Sequence, residues 1–415
     1  MRILMLSQFF PPTIGGEERH VKVLSEALVQ RGHDVSVATL RQHDENPFEV
    51  VNGVKLHRLQ GTLQRNSALF AEAHRRHAPP FPDPELTYGL NRVVRSEQAS
   101  IVHAHNWLLH SYLPLQAMYS TKLVVTLHDY GTVCAKKNMI HQGNPCSGPA
   151  PAKCLSCAVQ HYGNLKGAVT WLTNSVSSRV GSRLVDTFIP VSRAVADRCK
   201  LDQAQVPYEI IPTFIADDVR TLSEELDDCI AQLPEEGFLL FVGDLTRLKG
   251  LHDLLEAYGT FVDAPPLVLI GRRCRDTPTT LPKNVTLFES WPHRAVLHAW
   301  SRCLFGLAPS IGLETCGTVV MEANAFGKPV IACNIGGLSE TVLDGKTGIL
   351  VAPGDAPALR GALEALITNR ELRERLAVGS FRHADSFMTK SVVPRIENIY
   401  ARAGNSRGNA SGLVP

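Results

Sequence analysis

A short apolar run that feeds through a glycine loop into an amphipathic helix, and on to another strand, occurs at the start of this chain and again past its middle. The first copy is RILMLSQFF followed by PPTIGGEERHVKVLSEALVQRGHDVSVATL. Val21, Leu24 and Leu28 give the helix its apolar spacing, Gly32 closes it, and DVSVATL begins the next parallel strand of a right-handed unit. The second copy, FLLFVGDLTRLKGLHDLLEAY, repeats strand, turn and helix. Two such starts in a chain of 415 residues, too long for one ordinary core, predict two α/β domains of Rossmann-like design.

Further strands are expected at VKLHRL, IVHAHNW, KLVVTLHDYG, DTFIPVS and EIIPTFI in the first half. LVLIGR, VTLFESW, LFGLAPS and PVIAC follow in the second. Helices are expected over 166–184, 193–200, 293–303, 356–368, 370–386 and 392–402. The predicted division is a first domain over 1–215 with an insertion at 134–157, a second over 216–386, and a last helix within 387–404. The acidic, weakly patterned stretch 216–237 reads as the connection. Residues 405–415 form a tail whose ASGLVP ending reads like the remnant of a cleavable purification tag.

Hydrophobic residues make up 44% and charged residues 20% of the chain, and the formal net charge is +2. A globular protein follows, with no reason to expect nucleic acid as the principal partner and at most peripheral contact with a membrane. The first residues go directly into a strand pattern, and no run of membrane-spanning length occurs, so a cytoplasmic protein is expected. Ten cysteines in such a chain are expected to be reduced thiols.

The densest chemistry lies in APSIGLETCGTVVMEANAFGKPVIACNIGGLSETVLDGKTGIL. Val319, Val320, Ala323 and Phe326 form the apolar stripe of a helix that Gly327 and Pro329 end. Glu322 rides on that helix and Glu314 on its entry loop, with Gly312 and Gly317 allowing close approach of backbone. Free N–H groups around Cys316, Gly317 and Thr318 suit a phosphate, and a carboxylate one turn further in can accept both hydroxyls of a ribose. Such a pocket fits a sugar nucleotide, although two glutamates at this spacing also occur on ordinary surface helices.

Elsewhere the Gly15-Gly16 pair ends the first strand, where open parallel sheets bind ligands, or it is simply a turn. His103 and His105 share a strand face, as a satisfied core pair would. His128 and Asp129 end the strand TLHD. The irregular 61–84 stretch, with Arg65, Arg75 and Arg76, reads as a mobile acceptor-side loop. The insertion carries Cys134, Cys146, Cys154 and Cys157 in the pattern C-x11-C-x7-C-x2-C, with little regular structure expected between them. Its C-x2-C end is the ordinary bite of a zinc knuckle, and one structural zinc, free thiols or a disulfide are all open.

The glutamate segment together with PVIAC, GGLSE and DGKTGILVAPGD resembles the retaining glycosyltransferases of family four, also described as glycosyl transferases group 1. That resemblance implies the GT-B architecture, two Rossmann-like domains facing each other across a cleft. It also implies a nucleoside-diphosphate sugar as donor, UDP-linked by preference and GDP-linked otherwise, and a hydroxyl-bearing acceptor. By the same resemblance Gly15 and Gly16 face the donor diphosphate, His128 touches the transferred sugar, Glu314 holds it, and Glu322 anchors the ribose. Lys249, in a KG step, meets the diphosphate. Asp244 stands where an arginine is usual, and Arg247 is the nearby replacement. No catalytic metal is expected, since the chain shows no D-x-D pair. A sugar-nucleotide epimerase and a non-catalytic relative of the same fold stay open as alternatives, whereas a dehydrogenase lacks its G-x-G-x-x-G after the first strand.

Overall fold

The computed structural model describes residues 1–13, 15–42, 45–70, 75–222, 228–235 and 237–405. The ASGLVP ending and parts of the 61–84 and 216–237 stretches lie outside the described residues. The chain divides into two compact units: Met1–Met139, Cys146–Pro212 and the chain from Val392 onward form one, while Ile140–Pro145 and Thr213–Ser391 form the other.

The first unit runs β1 (Arg2–Leu6), α1 (Gly16–Gln30), β2 (Asp34–Leu40), β3 (Phe48–Val51), β4 (Val54–Leu59), α2 (Pro84–Glu97), β5 (Ile101–Ala104), α3 (Leu108–Gln116) and β6 (Lys122–Leu127). A small hairpin of β7 (Ile140–His141) and β8 (Asn144–Pro145) belongs to the second unit. Back in the first come α4 (Pro151–Tyr162), α5 (Asn164–Leu184), β9 (Thr187–Pro190) and α6 (Arg193–Arg198). Its sheet has the order β3-β4-β2-β1-β5-β6-β9, parallel apart from the β3–β4 pair. Ile3, Leu4, Met5, Leu6, Val35 and Val37 are all buried, as expected of strands covered on both faces.

The second unit contains β10 (Leu239–Val242), α7 (Leu251–Tyr258), β11 (Leu267–Ile270), β12 (Val285–Phe288), α8 (His293–Arg302), β13 (Phe305–Ala308) and α9 (Thr318–Ala325). After them come β14 (Val330–Cys333), α10 (Leu338–Thr341), β15 (Gly348–Val351), α11 (Ala356–Thr368) and α12 (Arg370–Ala384). The sheet is wholly parallel in the order β12-β11-β10-β13-β14-β15. Alternate residues of its strands feed two cores: Leu239, Phe241, Leu267 and Leu269 pack with α7 and α11, while Leu240, Val268 and Ile270 pack with Trp300 of α8 and Val320 of α9. Helix α13 (Thr389–Asn405) closes the described chain and from Val392 belongs to the first unit.

Two local expectations are corrected, and one helix was not foreseen. EIIPTFI is not a strand: Tyr208 just before it bridges Phe188 and Ile215 at its end bridges Met388, each as an isolated bridge, and Pro212 between them, without an N–H, cannot donate to a ladder. The cysteine insertion has regular structure, because Pro151 at the first turn starts α4 and places Cys154 and Cys157 on it. Helix α2 lies in a stretch that no apolar run announced. Its signal is local, with Asp83 accepting from the N–H groups of Glu85 and Leu86 and Pro84 at the first position.

Candidate active site

In open parallel sheets a ligand crevice forms where neighbouring strands send their helices to opposite faces. In the second unit that place is between β10 and β13, and the loops leaving them carry the residues singled out from the sequence. Lys249 ends a 3-10 turn over Arg247–Lys249 that Thr246 caps, its hydroxyl accepting from the Lys249 N–H at 3.2 Å. Gly250 follows with φ +76, and a Cβ there would lie 1.8 Å from the Pro309 carbonyl oxygen. Only glycine lets the two loops close in this way. On the other side Gly336, with φ +56, would place a Cβ 2.2 Å from the Glu314 carbonyl oxygen, which accepts from the Gly337 N–H at 2.8 Å. The GG of GGLSE is thus the seat of the Glu314 backbone.

Held from both sides, Lys249 Nζ reaches Glu314 Oε1 at 2.6 Å, and the Ser310 hydroxyl donates to the same oxygen at 2.8 Å. The pair stays open to solvent, with side chains 39% and 20% exposed. Glu322 is different. It lies on α9 at 2% exposure, and His293 Nε2, at the start of α8, is 2.7 Å from its Oε1. Gly317 and Thr318 open α9, where the Val320 N–H donates to the Gly317 carbonyl at 2.9 Å and the N–H groups before it have no carbonyl one turn back in the helix. Cys316 is buried, and burial pushes its thiol up to about 11, so it offers backbone here and not a thiolate. Arg247 is exposed, its own N–H bound to Asp276 Oδ2 at 2.7 Å. Asp244 is ion-paired with Arg272 at 3.0 Å, which brings a cation from the end of β11 to the position where the sequence lacks one.

In the first unit the corresponding place is between β1 and β5. Gly15 and Gly16 open α1 as expected, but the helix start is acidic. The Glu18 carboxylate lies against Gly15, where a Cβ would be 2.0 Å from its Oε2, and pairs with Arg75 at 3.0 Å. Glu17 accepts from the Asn106 amide. Burial, with Glu18 beside it, raises its carboxyl to about 8, so it is largely protonated at neutral pH. The other arginines of the 61–84 stretch are engaged too, Arg65 with Glu85 at 3.0 Å and Arg76 with the Gln64 carbonyl at 2.7 Å.

His128 directly follows β6 and lies in a histidine cluster. His105 Nδ1 is 3.0 Å from His128 Nε2, and the His20 ring centroid is 4.6 Å from that of His128. Below them His103 joins Tyr400 Oη at 2.6 Å through Nδ1 and Thr126 Oγ1 at 2.7 Å through Nε2. Burial lowers all four, His103 and His128 to about 3 and His20 and His105 well below their ordinary value. These are neutral rings, able to donate or accept a hydrogen bond but not to supply a positive charge at neutral pH. A cavity adjoins them, lined by His105, Trp107, His128, Asp129, Gly131 and Ser178 among others.

The model for Glycosyltransferase Family 4 matches residues 14–219, and that for Glycosyl transferases group 1 matches residues 224–380. The chain belongs to these glycosyltransferases. It is 26% identical to the glycogen synthase of Mycobacterium tuberculosis over 444 aligned positions, covering 100% of this chain and 98% of that one. Among solved structures, sucrose-phosphate synthase from Thermosynechococcus elongatus superposes with a TM-score of 0.72 at 20% identity, over 96% of this chain and 98% of the other. Anabaena HepE in complex with UDP and glucose gives 0.67 at 16% identity, over 96% and 99%. The fold is the GT-B type of two Rossmann-like domains.

For the glycosyltransferase, one site expected from sequence does not assemble. No three of the sulfurs of Cys134, Cys146, Cys154 and Cys157 come within 4.8 Å of one another among the described residues, so they do not fit a tetrahedral zinc as they stand. Cys154 and Cys157 share α4, where the Cys154 sulfur accepts from the Ala150 N–H, and Cys146 Sγ donates to the Gly148 carbonyl. The group that does gather is His20, His105 and His128. There the 105–128 hydrogen bond already uses one nitrogen from each ring. Two residues that contact the glutamates of the second unit were missed, His293 beside Glu322 and Ser310 beside Glu314. Ser310 is the first polar side chain after β13, following Pro309, and that position was an available signal, whereas His293 comes after Glu289 and Ser290 in its loop and is marked only by opening α8 behind Pro292.

Proposed function

We propose that this glycosyltransferase moves a sugar, with retention at the anomeric carbon, from a nucleoside-diphosphate sugar to a hydroxyl acceptor. UDP is the favoured nucleotide, in keeping with the UDP held by HepE. The observation that carries the reading is the pairing of an open cation–carboxylate couple, Lys249 and Glu314, with a buried carboxylate, Glu322, on the loops and helix at one switch point. Glu322 accepts from the ribose hydroxyls and His293 orients it. Lys249 and the first N–H groups of α9 meet the diphosphate, and the negative charge that gathers on the leaving oxygens is offset by these fixed groups. Glu314 takes hydrogen bonds from hydroxyls of the transferred sugar. His128, a neutral ring, serves as a hydrogen-bonding group for a sugar hydroxyl, and the cavity beside it suits an acceptor with polar and aromatic contacts. The reading places the enzyme in the cytoplasm. No disulfide joins its ten cysteines, and no helix among the described residues is long and apolar enough to cross a membrane.

The test combines binding and stereochemistry. Thermal shift with UDP, GDP and ADP ranks the nucleotides, because a ligand held only by the folded state raises Tm. NMR of the anomeric proton in the product of the best donor then gives the configuration. An inverted product, or a new nucleotide sugar formed without acceptor, would overturn the proposal.

A further inference from the structure

Helix α5 is amphipathic in the inverse sense. The face it packs against the first unit is small and polar, with Gly167, Thr170, Asn174, Ser177 and Gly181 buried. The apolar residues point outward instead. Leu165 is 79% exposed, Val169 43%, Leu172 55%, Val176 51% and Val180 45%. At about 100° per residue these five fall within an arc of roughly 80°, and their span along the axis is about 22 Å. Scattered exposed apolar residues need no explanation, but a continuous stripe of this kind marks an interaction surface.

The charge around the stripe selects its occupant. Helix α5 carries no aspartate or glutamate, while it carries Lys166, Arg179 and Arg183, all exposed. Arg183 is exposed on the same outward arc as the apolar residues, and Arg179 is exposed beside it, about 20° beyond its edge. We propose that this face of α5 docks on an anionic membrane surface, its leucine and valine side chains entering the headgroup boundary and its basic residues meeting lipid phosphates. The combination of an apolar stripe and a basic flank is what an interfacial helix requires, and long basic side chains reach headgroups while their stems stay apolar. A second copy of the chain is a poor occupant, since a two-fold contact would bring these basic faces against each other without acidic partners. The inference is independent of the donor site, and it implies an acceptor presented at a lipid surface.

The test is co-sedimentation of the full chain with vesicles of phosphatidylcholine alone and of three parts phosphatidylcholine to one part phosphatidylglycerol. Binding is expected only to the anionic vesicles, and it weakens as salt is raised. The double substitution Leu172→Glu/Val176→Glu should reduce it about tenfold or more, and Arg179→Glu/Arg183→Glu should act likewise. Both pairs lie on the surface, and unchanged Tm and unchanged UDP binding show that each variant is folded with its donor site intact. Equal pelleting with neutral vesicles, no pelleting at all, or a dimer that the same substitutions dissociate overturns the proposal.

Discussion

Lys249 and Glu314 stand 65 residues apart in sequence and 2.6 Å apart in space, each seated by a glycine that no other residue could replace without moving backbone. The couple joins the loops after β10 and β13. Removing the lysine therefore strips the proposed diphosphate contact and leaves a carboxylate pointing at a negatively charged ligand.

Lys249→Ala is expected to lower kcat/KM for donor turnover by about a hundredfold or more, the scale seen when one fixed charge-stabilising group is lost. Arg247→Ala, with an exposed side chain, should cost less than tenfold. Steady-state kinetics on both variants decides the matter, and equal losses would remove the distinction between them.

Glu322→Ala should weaken UDP binding by about 10- to 150-fold, corresponding to roughly 1.5–3 kcal/mol for a lost hydrogen bond to a charged acceptor. His293→Ala should give a smaller loss, because it orients the carboxylate and does not replace it. Isothermal titration with UDP reads both. Unchanged affinity in Glu322→Ala would mean that the ribose is bound elsewhere.

Turnover is expected to be independent of added divalent metal, since Lys249 and the N–H groups opening α9 supply the countercharge. Assays with and without a chelator test this. A rate that collapses with chelator and returns with magnesium or manganese, Tm being unchanged, would contradict it.

The buried histidines make stability fall with acid. His103 titrates near its ordinary 6.5 in the unfolded chain but at about 3 in the folded one. Below pH 6.5 the unfolded state thus takes up a proton that the folded state refuses, and the stability present at neutral pH is lost as pH falls toward 3. Between pH 8 and pH 5 this one ring accounts for a loss on the order of 2 kcal/mol. Denaturant titrations should show His103→Gln losing less stability than the parent over that interval. Parallel pH profiles would show that His103 is not the group responsible.

Much of this was legible from sequence for a physical reason. Doubly covered strands are rich in apolar residues on both faces, so β1, β2, β6, β10, β11 and β14 announce themselves, and the glycine steps before Leu251 and Thr318 mark the loops that leave them. The placement of Glu322 on a helix and Glu314 on its entry loop followed from the same pattern. Less legible were features set by partners distant in the chain. The seat that Gly336 gives Glu314, the His293 contact to Glu322 and the Arg272 contact to Asp244 are tertiary, and no local period encodes them. The spacing of the four cysteines left a zinc site, free thiols or a disulfide open, and spacing is blind to α4, which carries Cys154 and Cys157. In α5 the usual rule, apolar side inward, points the wrong way, since glycine, serine and threonine make the packed face.

The first unit is not a continuous length of chain. His103, at the centre of its sheet, is bonded to Tyr400 of α13, while His33 and Arg31 meet Glu397 of the same helix at 2.7 and 2.6 Å. A fragment ending at Pro212 would therefore uncover Tyr400's place beneath the histidines and leave apolar surface that Val392, Val393, Ile396 and Ile399 now cover. Such a half cannot be traded between proteins by a single recombination crossover. Exchange needs two cuts, with the last helix travelling alongside the domain it completes.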